Sequence, residues 1–326
     1  MLWSLKLFLW IEGFAVVSDD SKVWDLRALR YFLTVAKHSS VTRASVELGV
    51  SESAVSQRLK TLERLMGLKL YESPGGRLRI TSTGVRLVEM AVDIFDRIDG
   101  FRAELGTDQP TGSLTVATQD PVVRYLLPGV ARAFAAQNPN VRLELMTRTV
   151  EETLRLVRLG ETDIGIVSET PLPDPLVFHP LRTYQAQFVA PKGHPLFAGG
   201  TPAMEELLTP ETIDRFPLIA PEHGDSTHTH IREALARLGL PYNIALEVGT
   251  TETVKHYVGL GLGVAVISGV CITPTDHETL DMVEVPQHFG GTSTYGYVIR
   301  REKYLSGPAE AFLTVLRNSV AVPTLA

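Results

Sequence analysis

Residues 26–84 read LRALRYFLTVAKHSSVTRASVELGVSESAVSQRLKTLERLMGLKLYESPGGRLRITSTG. Leu26, Leu29, Phe32, Leu33 and Ala36 recur at three- and four-residue spacing, which predicts a helix with one apolar face. His38-Ser39-Ser40 ends it. Residues 41–48 predict a second short helix, with Gly49 just past its end, where a left-handed cap is wanted. Ser51 offers an N-cap to a third helix over 52–66, whose Val55, Leu59, Leu62 and Met66 form the inward stripe, and Gly67 closes it. Lys69-Leu70-Tyr71 and Leu78-Arg79-Ile80 predict short strands around Ser73-Pro74-Gly75-Gly76. Two helices across a tight Gly-containing turn, followed by a hairpin, make a winged helix-turn-helix.

Charge sets this stretch apart from the rest of the 326-residue chain. The whole chain carries a formal net charge of −6, yet residues 22–84 hold eleven Lys/Arg against five Asp/Glu, a net of +6. Residues 1–21 carry −2, residues 85–111 carry −3 and residues 112–326 carry −7. A basic module joined to an acidic body points to a polyanion as the partner of the front end. On the third predicted helix, Glu52, Ser53, Ser56 and Gln57 bring carboxylate, hydroxyl and amide groups suited to base edges in a major groove. Arg58, Lys60 and Arg64 suit phosphates, as do Thr42 and Arg43 at the start of the second helix and Arg77 and Arg79 on the wing.

These residues resemble the N-terminal domain of LysR-type transcriptional regulators across nearly the whole quoted run. The match lies in Leu29/Phe32, Ser40-Val41-Thr42-Arg43-Ala44, Val50-Ser51, Ala54-Val55-Ser56, Leu62-Glu63, Gly67, Leu70 and Leu78 through Gly84. Two departures stand out. Ser73 occupies the place of the family's usual Arg, which removes one phosphate contact, and Glu52-Ser53 replace a frequent Gln-Pro pair, so no base preference carries over.

Beyond the wing, Leu87, Ala91, Ile94, Ile98, Phe101 and Leu105 are spaced 4, 3, 4, 3 and 4, an a/d seam with charged residues outside it. So narrow a stripe predicts pairing with a second copy, which suits two reading heads on a two-fold DNA site. In the family this helix pairs two subunits, and tetramers are common. Thr107–Gly112 (TDQPTG) reads as a hinge.

From Ser113 the pattern alternates. Strands are predicted at 114–117, 141–146, 163–167, 187–190, 263–267 and 295–300, with helices at 126–138, 149–159, 230–238, 251–259 and 308–319. Alternation predicts parallel α/β sheets covered by helices, with ligands bound beyond strand ends where lobes meet. The resemblance continues through Gly112-Ser113-Leu114, Leu127-Pro128, Asn138-Pro139, Leu159-Gly160, Asp163-Ile164-Gly165-Ile166, Gly193-His194-Pro195-Leu196 and Gly259 through Val264. Val254-Lys255-His256-Tyr257 looks closest to regulators of cysteine biosynthesis and sulfonate use. The fold class implied is α/β: a winged helix-turn-helix, a coiled-coil linker helix and a two-lobed, periplasmic-binding-protein-like effector domain with two chain crossovers. The expected organisation is an extension at 1–21, a DNA-binding domain at 22–84, a dimerisation helix at 85–107 and an effector domain at 112–324. Its lobes are expected at about 112–184 with 296–324, and at 185–295.

In the family the effector sits in the cleft between lobes. By position, Thr118, Gln119 and Asp120 would line it after the first strand and Ser168 and Glu169 after the third. Glu222 and Ser226, within residues 222–229, would face them from the second lobe, with Thr250 and Thr251 near the crossover. Helix starts suit anions, and sulfur-responsive relatives bind sulfate-like anions through Thr-rich positions there. Asp120, Glu222 and Asp225 would repel sulfate. A ligand carrying a carboxylate or sulfonate together with an amine or hydroxyl fits better.

Other motifs carry less. His223, His228 and His230 with Asp225 invite a metal reading if 228–230 is extended, but no fixed helical ligand spacing supports it. The run at 259–263 lacks phosphate-loop spacing and reads as a tight helix end before a closely packed strand. Lone Cys271 excludes an internal disulfide and reads as a small buried hydrophobe. Neither a nucleophile elbow nor a cofactor loop is present, so the reading is a regulator without catalytic residues, metal or cofactor rather than an enzyme. Residues 1–21 hold an apolar run interrupted by Lys6 and Glu12, shorter than the roughly 18–20 residues a span needs and without a small-residue cleavage site. A solute-binding module exported by such a leader is the alternative, and the winged helix argues against it. The expected partners are operator DNA, a polar small molecule, RNA polymerase and further copies of the chain, all in the cytoplasm and with no membrane.

Overall fold

A computed structural model describes residues 25–73, 78–104, 110–207, 209–221, 226–240, 243–289 and 291–320. The expected extension at 1–21, the wing tip with Arg77, Leu105 at the end of the seam, the first half of the expected hinge (107–109), and Glu222, His223 and Asp225 lie outside the described residues. The chain divides into two compact units, 1–98 and 99–326.

In the first unit, α1 (Leu26–His38) is capped by the Asp25 side chain, which accepts from the Arg27 amide. Its inward face is Ala28, Leu29, Phe32 and Val35, while Leu26 is 46% exposed. α2 (Val41–Leu48) starts at Ser40, whose side chain accepts from the Arg43 amide, and ends at Gly49 with φ 66°. α3 (Glu52–Met66) is capped by Ser51 and stopped by Gly67 at φ 65°. The left-handed stop expected at each glycine is therefore present, a conformation that costs a β-carbon-bearing residue more. β1 (Tyr71–Glu72) and β2 (Arg79–Ile80) pair antiparallel, with Tyr71 opposite Ile80. The long helix α4 (Ser82–Glu104) follows at once. Thr81 ties its start, accepting from the Gly84 amide and donating to the Lys69 carbonyl.

The predicted a/d seam on α4 is not a uniform docking stripe. Leu87, Val88, Ala91 and Val92 are already buried within a single chain, and the Arg30 guanidinium of α1 lies 5.0 Å from the Phe95 ring centroid. Further along, Ile94 and Ile98 are half-buried and Phe101 is 60% exposed. The winged helix takes the first half of the stripe for its own core because a small domain needs that apolar area.

The second unit has two lobes. The first is a five-stranded sheet in the order β4-β3-β5-β12-β6, formed by β3 (Gly112–Thr118), β4 (Val141–Thr147), β5 (Ile164–Ser168), β6 (Leu176–Gln185) and β12 (Thr292–Arg300). β3 runs parallel to β4 and β5, but β12 is antiparallel to both β5 and β6. The sheet is thus mixed, which corrects the all-parallel expectation. The returning strand enters beside β5 from the other lobe and so arrives in the opposite sense. α5 (Leu127–Gln137) and α12 (Gly307–Val320) cover one face, where Phe134 and Phe312 meet edge-on at 5.4 Å. α6 (Val150–Arg158) covers the other with Leu154 and Val157. A short π-helical stretch, Val122–Leu126, precedes α5; the predicted single helix over 126–138 begins there.

The second lobe centres on β10-β7-β11, that is β7 (Gln187–Pro191), β10 (Ala265–Ile267) and β11 (Leu280–Glu284), with β7 antiparallel to both neighbours. α7 (Met204–Leu207) and α8 (Pro210–Arg215) precede a parallel pair, β8 (Leu218–Pro221) and β9 (Ile244–Val248), which joins through a Leu218–Val264 bridge. α9 (Ser226–Arg237) and α10 (Thr251–Gly259) follow β8 and β9, and α11 (Asp276–Thr279) precedes β11. The chain crosses between lobes twice, from β6 to β7 and from β11 to β12, which enters the first lobe's sheet at Thr292. The glycine run behaves as read: Gly261 turns at φ 81°, and a Cβ on Gly263 would lie 2.4 Å from the Pro217 carbonyl oxygen. Cys271 is fully buried.

Candidate nucleic-acid interface and ligand cleft

One face of α3 carries Ser53, Ser56, Gln57, Lys60, Thr61 and Arg64, which together line a shallow surface concavity. At 100° per residue these positions fall within one sector opposite Val55, Leu59 and Leu62. Thr61 shares this face, which its sequence position shows only once the helix is in place. Glu52 is exposed on the flank. Arg58 takes the opposite flank, where its guanidinium pairs with Asp25 at 3.3 Å and lies 5.9 Å from the Tyr31 ring. The structure therefore turns Arg58 toward α1, away from Lys60 and Arg64. Thr42 and Arg43 are exposed at the start of α2, and Arg79 is exposed on β2. Arg43 shares a groove with Ser40, Ser73 and Leu78.

The wing is fixed to α3 by one carboxylate. Glu63 accepts from the amides of Leu70 at 2.8 Å and Tyr71 at 3.3 Å, and the Tyr71 hydroxyl donates to the Phe32 carbonyl at 2.8 Å. Burial, with the Glu63 charge added, pushes the Tyr71 hydroxyl pKa up, so it stays a donor. Glu63→Ala leaves two amides unpaired, and chemical denaturation should show the first unit losing about 1–3 kcal/mol.

In the second unit a cleft of about 610 Å³ lies between the lobes, lined by Gln119, Asp120 and Pro121, by residues 147–152, and by Pro221, Gly249, Thr250 and Thr251. The walls follow from local caps. Thr149 starts α6 with a capping box, accepting from the Glu152 amide while Glu152 accepts from Thr149. Thr250 caps α10 by accepting from the Thr253 amide. Two helix N-termini thus line one cavity, and each presents partial positive charge. Arg148, whose guanidinium donates to the Thr147 carbonyl, adds a full cation. Asp120 is set 3.4 Å from Arg124, and Glu151 and Glu152 add carboxylates.

The sequence-predicted positions divide. Gln119, Asp120, Thr250 and Thr251 line the cavity together. Thr118 is fully buried and spends its hydroxyl on the Ile166 carbonyl at 2.6 Å. Ser168 is buried, with its amide on the Gln119 side chain, and Glu169 is exposed. Ser226 begins α9; Glu222 lies outside the described residues. Helix α9 starts four residues earlier than predicted, so His228 and His230 lie on a helix. Residues two apart on a helix point to different sides, and the extended-strand metal reading is corrected accordingly. Among the described residues no helix is long and apolar enough to cross a membrane.

With both regions in place, comparison with known proteins is decisive. Residues 26–85 match the model described as "Bacterial regulatory helix-turn-helix protein, lysR family", and residues 107–321 match "LysR substrate binding domain". The chain belongs to the LysR family. It is 33% identical over 260 residues to the HTH-type transcriptional regulator cbl of Escherichia coli strain K12, covering 78% of this chain and 80% of that one. It is 29% identical over 276 residues to the regulator SsuR of Burkholderia cenocepacia, covering 83% and 87%. Among solved structures, the cofactor-binding domain of the Cbl regulator superposes with a TM-score of 0.57 at 31% identity, over 68% of this chain and 92% of that one. A full-length OxyR variant from Pseudomonas aeruginosa superposes with a TM-score of 0.72 at 22% identity, over 93% and 96%, and shares the fold. This LysR-family chain is a transcriptional regulator rather than an enzyme, with a helix-turn-helix DNA-binding domain and a substrate-binding domain.

Proposed function

We propose that this LysR-family protein reads an operator in the cytoplasm as a dimer or tetramer and responds to a zwitterionic or hydroxylated acid held in its interlobe cleft. Ser53, Ser56, Gln57 and Thr61 meet base edges. Lys60, Arg64, Thr42, Arg43, Arg77 and Arg79 meet phosphates, and α4 pairs subunits through its Ile94–Ile98–Phe101 half. The observation that carries the ligand reading is the mixed polarity of the cleft: the α6 and α10 N-termini and Arg148 favour an acidic group, while Asp120 favours an amine or hydroxyl. Resemblance to regulators of cysteine biosynthesis and sulfonate use supports a carboxylate or sulfonate as that acid. An effector acts by preferring one lobe or subunit arrangement, which resets the reading heads and their contact with RNA polymerase.

Calorimetric titration of the full chain with inorganic sulfate, with amino acids and with an aminosulfonate tests the ligand class. Saturable binding of a zwitterion that weakens when Asp120 becomes Asn is the expected result. Tight sulfate binding with no response to either zwitterion class contradicts the reading.

A further inference from the structure

On one side of the cleft, the two lobes touch through charged and polar groups that the ligand reading does not use. Tyr125 sits on the π-helical stretch of the first lobe, one turn beyond Asp120 and Pro121 of the cleft wall. Glu252 and Lys255 sit on α10 of the second lobe, next to Thr250 and Thr251 of the opposite wall. The Tyr125 hydroxyl donates to the Glu252 carboxylate. The Lys255 ammonium lies 2.6 Å from Glu252, 2.9 Å from Asp276 and 2.9 Å from the Cys271 carbonyl, and 5.1 Å from the Tyr125 ring centroid. Only 6% of the Lys255 side chain is exposed.

We propose that Tyr125, Glu252 and Lys255 form a latch that sets the width of the cleft, with Lys255 as its fixed member and the Tyr125–Glu252 contact as its releasable one. Three observations carry this. First, Lys255 is anchored to the segment Gly269–Cys271, whose Val270 and Cys271 are seated in the core of the first lobe although the segment follows a second-lobe strand. Asp276 is held in turn by the Thr273 amide and hydroxyl at 2.7 and 2.8 Å. The ammonium therefore belongs to a rigid set that spans the crossover. Second, Glu252 is 39% exposed and has partners in both lobes, so it is the member that separation of the lobes frees. Third, moving Tyr125 away breaks two attractions together, a charge-assisted hydrogen bond and the contact between ring and ammonium. That makes the contact two-state rather than graded. Thr251 and Glu252 are adjacent, so a ligand held at the α10 N-terminus and the latch act on the same helical turn.

The latch is tested without any ligand, so its failure is distinguishable from failure of the proposed effector class. Spin labels are placed at Ala136→Cys on α5 and Glu233→Cys on α9, both exposed; native Cys271 is fully buried and stays unlabelled. Pulsed dipolar spectroscopy on the full chain then reads the lobe-to-lobe distance distribution. Tyr125→Phe keeps the ring and removes the hydroxyl, and it should raise the long-distance population several-fold. Glu252→Ala removes the acceptor, and with it the Lys255 pair, and should do the same. The double variant should not exceed Glu252→Ala, because that variant already lacks the contact that Tyr125→Phe removes. If Tyr125→Phe does not fold, Glu252→Ala carries the measurement alone. An unchanged distribution in the folded single variants, or effects that simply add in the double, overturns the proposal.

Discussion

Replacing Lys60 and Arg64 together by Ala should weaken binding to every DNA sequence by roughly 10–100-fold and lower the salt slope of log K by about 2. Both side chains are exposed on the α3 face that carries Ser53, Ser56, Gln57 and Thr61. Neither supports the core stripe of Val55, Leu59 and Leu62, so folding should be unaffected. Arg58→Ala is the internal contrast. Its guanidinium is engaged with Asp25 and Tyr31, so its loss should change the salt slope by less than one. By comparison, Gln57→Ala should leave the slope alone and cut discrimination between operator and unrelated DNA, since amides read base edges. Electrophoretic or fluorescence titrations at several salt concentrations check all three. An unchanged slope in the Lys60/Arg64 variant means α3 does not dock on the phosphates.

The second large effect is on stability. Lys255→Met should destabilise the second unit by about 3 kcal/mol, because it strands the largely buried Asp276 carboxylate without its cation. Lys37→Met, at an exposed pair with Glu47 where the side chains are 51% and 44% accessible, should cost less than about 1 kcal/mol. The pH dependence distinguishes the causes. Burial raises the Asp276 pKa, but hydrogen bonds from Lys255 and from Thr273 outweigh it and leave the group below its ordinary value of 3.8. A carboxylate whose native pKa is lowered adds stability above its unfolded value, and that stability is lost as pH falls through the native value. The wild type should therefore lose part of its stability as pH drops below 3.8, and Lys255→Met should lose less over the same range. Denaturant unfolding at pH 7 and at low pH reads both. A Lys255→Met midpoint equal to wild type contradicts the role given to the ammonium.

What was legible in the sequence was mostly local. The first front helix shows through its apolar spacing, and the second and third because each carries its own cap and stop: Ser40 and Gly49, then Ser51 and Gly67. The signal lies within a few residues, and the packing agrees with it. β6, β8, β9 and β11 were not predicted. β6 is half-buried along most of its length with no clean alternation, β9 has only five residues, and β8 spans four. Such strands become visible only once their neighbours are known. The wall at 147–152 was missed in part, although Thr149 and Glu152 spell a capping box immediately after a strand and so mark a helix start at a strand end. On α4, spacing shows that a stripe is apolar and not which surface covers it: Leu87 and Ala91 are buried within one chain, while Phe101 is exposed. Tyr125 and Glu252 stand 127 residues apart; only the fold joins them.

The central claim is that a basic reading head and a ligand-holding body act as one regulator. Mapping the DNA bound by the full chain across the genome it comes from, with base-resolution protection of the strongest site, tests it most directly. The account predicts protected sequences upstream of genes, built as two related half-sites about one helical turn or a multiple apart. It further predicts that the Lys60/Arg64 double variant loses all of them. Protection spread evenly with no preferred sequence, or sites retained by that variant, would contradict it.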